Sequence, residues 1–443
     1  MEKTLKENSF AGFLNKFFKI KEHNSTIRKE VIGGLTTFVT MAYIIFVNPN
    51  ILGAAGMDKG ALITVTCVAS FVGTLLAGLW VNVPFAMAPG LGLNAFFAYT
   101  LVIGKGATWQ QALGVVFLSG VCFLLLTLVG AREKIIDSIP VSLRLAVSTG
   151  IGLFITFIGL QGMGLIVDNP ATLVGIGPIT KPVILGLFGL ILIAVLEIRK
   201  VRGALLIGIA VTTLLGVLLK VIDVPHAFMS MPPSMAPIAF KLDIKNALHL
   251  SMLNAVFSFL FVHIFDSVGT VVACAYEAGM VKKDGKIENI GKYLEADAIS
   301  TMVGAALGTS PTSPYIESAS GIAAGARTGL ASVITAIMFL VATFFTPIIG
   351  MVPGFATAPA LVIVGIYMFK HVKEIDFTDF EVAVPCFITI VAMPLTYSIA
   401  VGLSLGFMSY IVVTVAAGDI KKIHPTMWVI GILSLFNFIV HEK

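Results

Sequence analysis

Glu317 stands at the centre of GTSPTSPYIESASGIAAGAR, residues 308–327, a stretch whose neighbours on both sides are apolar enough to lie inside a membrane. Carboxylates are costly at that depth and are usually kept there to bind something or to move protons. Two further acids share the setting. In VHIFDSVGTVV, Asp266 and Thr270 are four residues apart and so share a helix face, with His263 and Ser267 close by. Asp297 is expected to open a short apolar span, and Asn94 lies in a second segment broken by prolines. Carboxylates accept N–H groups, and the rings of Phe85 and Tyr315 offer flat faces. A flat heterocycle with N–H and C=O edges fits that set, whereas an inorganic anion would be repelled by Glu317 and Asp266. A dehydrated carboxylate that takes up and releases a proton suits a proton-coupled carrier.

These side chains need elements that hold them at membrane depth. Pro311 and Pro314 cannot continue a helix, so PTSPYIE is expected to be extended, with a half-helix resuming at Ser318 as its N-cap and offering free N–H groups to a cavity. Residues two apart in an extended piece share a side, which groups Tyr315 with Glu317 and, around Pro84 and Pro89, Phe85 with Met87. Pro89 suits the first turn of a second half-helix. Unwound backbone is tolerated in a bilayer only where protein or water covers it, and paired broken helices mark a transporter's substrate site. Plainer structural readings stay open: a kinked helix with Glu317 bonded to a neighbour's backbone, Asp266 locking helix packing, Asp297 capping a helix, His263 as a satisfied buried histidine and Gln161 as packing glue.

Hydrophobic residues make up 57% of the 443 and charged residues 12%, with mean hydropathy +0.98. That composition is a polytopic membrane protein's. The net charge of +5 sits in short loops between apolar runs, so it reports topology and not nucleic-acid binding. Cys67, Cys122, Cys274 and Cys386 lie in apolar runs without metal or disulfide spacing. No Walker A sequence is present, and the Gly-x-Gly patterns fall inside apolar spans.

Spans are expected near 31–48, 61–80, 84–103, 110–130, 141–167, 182–198, 203–222, 252–274, 296–309, 314–325, 328–349, 353–369, 380–397 and 399–417. The protein is thus read as all-α with about fourteen spans, the third and tenth broken. Basic residues at Arg132/Lys134, Arg199/Lys200/Arg202, Lys282/Lys283/Lys286/Lys292, Arg327, Lys370/Lys373 and Lys421/Lys422 put both termini inside. Residues 1–30 hold an amphipathic surface helix in FAGFLNKFFKIK, 223–251 form an outer linker, and 419–443 end in a surface helix over 425–440. The stretches 31–222 and 252–418 resemble each other: Phe38-Val39 leads to Ala55-Gly56-Met57 as Phe261-Val262 leads to Ala278-Gly279-Met280, and Pro84-Phe85 matches Pro314-Tyr315. Seven spans per copy is an odd number, so the second copy is inverted.

FVTMAYIIFVNP, APGLGLNAFFAY, FDSVGT and GTSPTSPYIESASGIAAGARTGL resemble the AzgA-like guanine/hypoxanthine/adenine permeases of the nucleobase/ascorbate transporter superfamily, from about residue 20 to 440. The resemblance implies core and gate domains, an elevator-like motion and proton symport of a purine base across a bacterial inner membrane. It matches Glu317, Asp266, Asn94 and Asp297 to the family's functional acids and asparagine. The expected substrate contacts are Glu317, Asp266, Tyr315, Phe85, Thr270, Asn94, Ser318 and Ala42; the expected proton carriers are Asp266, Asp297, Glu317 and His263. His263 departs from the pattern, since many members carry aspartate there. No metal or organic cofactor is expected, and the partners are the purine and the bilayer; the sequence leaves a homodimer open. Rival readings are a uracil, xanthine or anion carrier of the same fold and, from another class, an intramembrane enzyme, for which no nucleophile–base motif appears.

Overall fold

The computed structural model describes residues 10–130, 138–225, 227–280, 287 and 289–441. Arg132, Lys134, Lys282, Lys283, Lys286, residues 1–9 and the final Glu442 and Lys443 lie outside the described residues, so the charge pattern is only partly represented. Among the described residues, nine helices are long and apolar enough to cross a bilayer, and Leu91–Gly104, Ala204–Leu218 and Phe380–Leu395 are apolar but shorter. The chain is a multi-pass membrane protein.

Helix α1 (Phe10–Phe17) exposes Phe10, Phe13 and Phe17, as an interfacial helix would. Helix α2 (Ile27–Met41), capped by Thr26, is followed after a break at Ala42-Tyr43 by α3 (Ile44–Gly53). Helix α4 (Lys59–Leu76) starts on the Asp58 cap and widens into a π-helical turn ending at Val81. Strand β1 (Met87–Pro89) leads into the short α5 (Leu91–Ala95), which widens likewise through Gly104; α6 (Trp109–Leu128) follows. Helix α7 (Val141–Gly162), the hairpin β2 (Ile166–Asn169) and β3 (Leu173–Ile176), α8 (Lys181–Ile198) and α9 (Ala204–Leu218) complete the first half. The second half holds α10 (Leu250–Ala278), α11 (Ile290–Leu307), β4 (Thr312–Pro314), α12 (Ser318–Ala323), α13 (Gly329–Ala342), α14 (Gly354–Phe369), α15 (Phe380–Leu395), α16 (Ile399–Ala416) and α17 (Pro425–His441).

The helices sort into two packed groups that each draw on both halves. Helices α2–α4, α6 and α10–α13 pack around the two extended strands, while α7–α9 and α14–α16 pack on one another. Small residues allow the closest approaches in the first group. A side chain at Gly33 would meet the Ala326 Cβ at 2.6 Å, so α2 and the end of α12 touch backbone to backbone. Glu30, fully buried in α2, accepts the N–H groups of Arg327 at 3.0 Å and Thr328 at 3.2 Å, satisfying the backbone that enters α13. Asn82, at φ 60, ends the π-turn; its amide accepts from Gly329 N–H at 2.9 Å and donates to the Phe18 carbonyl at 3.0 Å, tying α13 and the segment after α1 together.

One expected boundary is corrected. Helix α11 begins at Ile290, not near 296, so Asp297 does not open it: it is the eighth residue, fully buried and a turn beyond the buried Tyr293. The polar run Gly291–Lys292 and Glu295 hid a helix start that Tyr293 and Leu294 anchor by packing.

Candidate functional site

The two proline-broken segments do run extended, and they pair with each other. Strands β1 and β4 are antiparallel, with Met87 opposite Pro314, Ala88 opposite Ser313 and Pro89 opposite Thr312. Gly90 N–H donates to the Pro311 carbonyl and Tyr315 N–H to the Ala86 carbonyl, both at 3.0 Å. Three residues a side cannot satisfy all the unwound backbone, and hydroxyls take the remainder. Thr74 both accepts from Met87 N–H and donates to its carbonyl at 3.0 Å. Ser318 accepts from Ala86 N–H at 3.0 Å, Thr301 donates to the Thr312 carbonyl at 2.9 Å, and Ser332 donates to the Val83 carbonyl at 2.7 Å. Backbone at membrane depth is thereby paired without a continuous helix.

Glu317 sits just before α12, half-buried, and its Oε1 accepts a hydrogen bond from the Tyr43 hydroxyl at 2.6 Å. Tyr43 comes from the break between α2 and α3, next to the buried Ala42. Its ring lies 6.5 Å from that of Tyr315, whose hydroxyl donates to the Pro89 carbonyl at 2.6 Å. Asp266, from the middle of α10, hydrogen-bonds Ser313, two residues before Tyr315 on the extended piece. Gly90 is required there: a Cβ would lie 2.7 Å from Ser313 Oγ and 3.6 Å from Asp266 Oδ2. Glu317, Asp266, Tyr315 and Ser318 are therefore brought together at one crossing, with Thr270 one turn beyond Asp266 on the same helix.

Four expectations are corrected by this geometry. Ser318 is the first residue of α12 and not its cap; Glu317 holds the cap position without a side-chain cap bond. The helix end offers no free donors either, because the N–H groups of Ser318, Ala319 and Ser320 bond the carbonyls of Tyr315, Ile316 and Glu317 at 3.1, 2.9 and 3.0 Å. Likewise Pro89 ends β1 and is not in the first turn of α5, which Gly90 caps and Leu91 begins. Phe85 is not at the crossing: alternation along the extended piece turns it with Met87 to the far side, where its ring meets Tyr293 at 5.4 Å, while Ala86 faces Tyr315. Two phenols, Tyr43 and Tyr315, donate hydrogen bonds at the crossing, and Tyr43 lies in a run, TMAYIIF, that reads as uninterrupted helix.

The other expected residues form separate clusters. Asn94, fully buried, accepts a short hydrogen bond from Ser310. His263 Nε2 and Asp297 Oδ1 are 3.2 Å apart, both fully buried, with the Phe123 ring 4.8 Å from the imidazole. Gln161 accepts from the Tyr397 hydroxyl at 2.7 Å and also lines a shallow cavity of about 420 Å³ with Met163, Pro182 and Phe355, none of which was expected to touch substrate. No group of three or more His, Cys, Asp or Glu side chains converges on a metal position among the described residues.

A Permease family profile matches residues 28–405. A permease of Methanocaldococcus jannaschii is 48% identical over 428 residues, covering 96% of this chain and 98% of the relative. The guanine/hypoxanthine permease PbuG of Bacillus subtilis is 46% identical, covering 96% and 99%, and the adenine permease AdeP of Escherichia coli is 42% identical, covering 98% and 97%. Among solved structures, the transmembrane domain of the cyanobacterial bicarbonate transporter BicA superposes with TM-score 0.67 over 86% of this chain and 97% of that one, at 15% identity, a likeness of fold alone. With those matches spanning nearly its whole length, the chain belongs to the Permease family and is a membrane transporter, not an enzyme.

Proposed function

We propose that this chain imports purine nucleobases by proton symport, with the base held at the crossing of β1 and β4. The observation that carries the reading is the Tyr43 hydroxyl on Glu317, 2.6 Å away, beside a strand pair that Asp266 flanks through Ser313. A carboxylate accepts ring N–H groups and a phenol donates to a ring carbonyl or nitrogen, so the two together read one edge of a purine. Support for the substrate class comes from the guanine/hypoxanthine and adenine permeases that match along the whole chain. Asp266 and Glu317 contact the base and, with Asp297 and His263, are the candidate proton carriers; Tyr315 and Ser318 shape the crossing, Thr270 and Ala42 border it, and Phe85 and Asn94 hold its surroundings.

The finer architecture belongs to the same proposal. Fourteen spans in two inverted copies are supported by the antiparallel meeting of β1 and β4 at matching places in the two halves. Elevator-like motion is supported by the two helix groups, with the crossing carried entirely on one of them. The plasma membrane of a bacterium, with both termini cytoplasmic, is the location this reading assigns. The bicarbonate-transporter fold does not favour an anion, because Glu317 and Asp266 face the same crossing.

The test is uptake of radiolabelled hypoxanthine into proteoliposomes, with and without an inward proton gradient, against unlabelled guanine, adenine, xanthine, uracil and bicarbonate. Uptake driven by the gradient and competed only by purines is expected. Competition by uracil alone, or by bicarbonate, would replace the substrate; uptake indifferent to the gradient would remove proton coupling.

A further inference from the structure

Behind the crossing, four polar atoms are buried with no partner: His263 Nδ1, Asp297 Oδ2, Ser267 Oγ and the Tyr293 hydroxyl. Their residues are 0%, 0%, 0% and 1% exposed. The pairing of His263 with Asp297 sets α10 against α11 at that level. His263 and Ser267, four apart, share one face of α10, and Tyr293 and Asp297, four apart, share one face of α11, so the four side chains belong to the two faces that this pair joins. Around them the wall is apolar, with Phe85 against Tyr293 and Phe123 against His263.

A buried polar atom left unpaired costs on the order of 1–3 kcal/mol, so four together in one place are not stable unless something bonds them. The set comprises two hydroxyls that donate or accept, a carboxylate oxygen that only accepts and an imidazole nitrogen that does either, according to its tautomer. We infer that this cage is a binding site for water, one or two molecules bridging α10 and α11 through His263, Ser267, Tyr293 and Asp297. Water fits where a fixed ligand would not, since it donates and accepts at once and buried waters typically make about three bonds to otherwise unsatisfied groups. Its chemical consequence is a closed route for a proton. With His263 doubly protonated, its Nδ1–H can pass its proton to the water oxygen while the water gives one to the Asp297 carboxylate, so that an imidazolium and a carboxylate become a neutral imidazole and a carboxylic acid with the strand crossing untouched.

The experiment does not depend on transport. Ser267→Ala and Tyr293→Phe, alone and together, are compared with the unsubstituted chain by thermal unfolding in detergent, and the unsubstituted chain is imaged at a resolution that shows ordered solvent. Solvent density within hydrogen-bond reach of at least two of the four atoms is expected. Each substitution should then lower the midpoint by roughly 1–3 °C, and the pair by less than the sum, because both remove bonds to the same water. A cage without density, or substitutions that leave the midpoint unchanged or raise it, would overturn the inference, since deleting an unpaired buried hydroxyl stabilises.

Discussion

The two carboxylates Glu317 and Asp297 both lie at membrane depth, yet they are held in opposite ways. Glu317 stands where two helices are broken, half-buried, on a phenol whose hydroxyl a ligand could displace. Asp297 sits inside a continuous helix, fully buried, against a histidine from the next helix. The first is supported by hydroxyls clamped to unwound backbone; the second is supported by side-chain packing, with Phe123 and Tyr293 as walls. Broken backbone exposes an acid to a ligand, whereas unbroken helix seals one away. On the proposed reading, a carboxylate's surroundings, and not its depth, separate an acid that binds from one that holds a proton.

The largest effect on stability should come from the sealed pair. Asp297→Asn removes the carboxylate partner of a fully buried histidine and should cost about 1–3 kcal/mol, visible as a clear fall in unfolding temperature; an unchanged temperature would mean the pair carries no such role. At the crossing, Gly90→Ala drives a methyl against Ser313 and Asp266 and should reduce hypoxanthine uptake by about tenfold or more, with Ser313→Gly on top restoring part of it. Were uptake untouched, β1 and β4 would not meet as described. Tyr43→Phe should raise KM about five- to tenfold through loss of one hydrogen bond to an acid, roughly 1–1.5 kcal/mol, and little change in KM would place the base elsewhere. Smallest of all, Phe85→Leu should leave KM within about twofold while lowering stability by roughly 1 kcal/mol, because its ring packs on Tyr293; a large KM change would return Phe85 to the substrate.

Proline chemistry made the crossing legible in the sequence. Pro311 and Pro314, like Pro84 and Pro89, forbid helix where apolar flanks demand membrane depth, and the extended pieces follow. Period-two alternation correctly put Phe85 and Met87 on one side, but it cannot say which side faces a ligand, and the packing of Tyr293 decided that. Tyr43 escaped because Ala42 and Tyr43 keep right-handed helical dihedrals within the apolar span Ile27–Gly53, so nothing local in TMAYIIF marks the phenol. The start of α11 escaped because Gly291, Lys292 and Glu295 look like a loop until Tyr293 and Leu294 are seen buried. Pairing of β1 with β4, far apart in the chain, left no local signal at all beyond the repeat that placed them in matching positions.

The account rests on Glu317 as the acceptor for the base, and binding tests it without the complications of a transport cycle. Hypoxanthine affinity of purified Glu317→Gln should be measured by titration calorimetry beside the unsubstituted chain, with unfolding temperatures in parallel. Replacing the acceptor oxygen by an amide should weaken binding by roughly 10- to 100-fold, the range of about 1.5–3 kcal/mol for a hydrogen bond to a charged group, while the fold stays intact. Equal affinity for the two proteins would contradict the assignment of Glu317 and move the binding site away from the crossing.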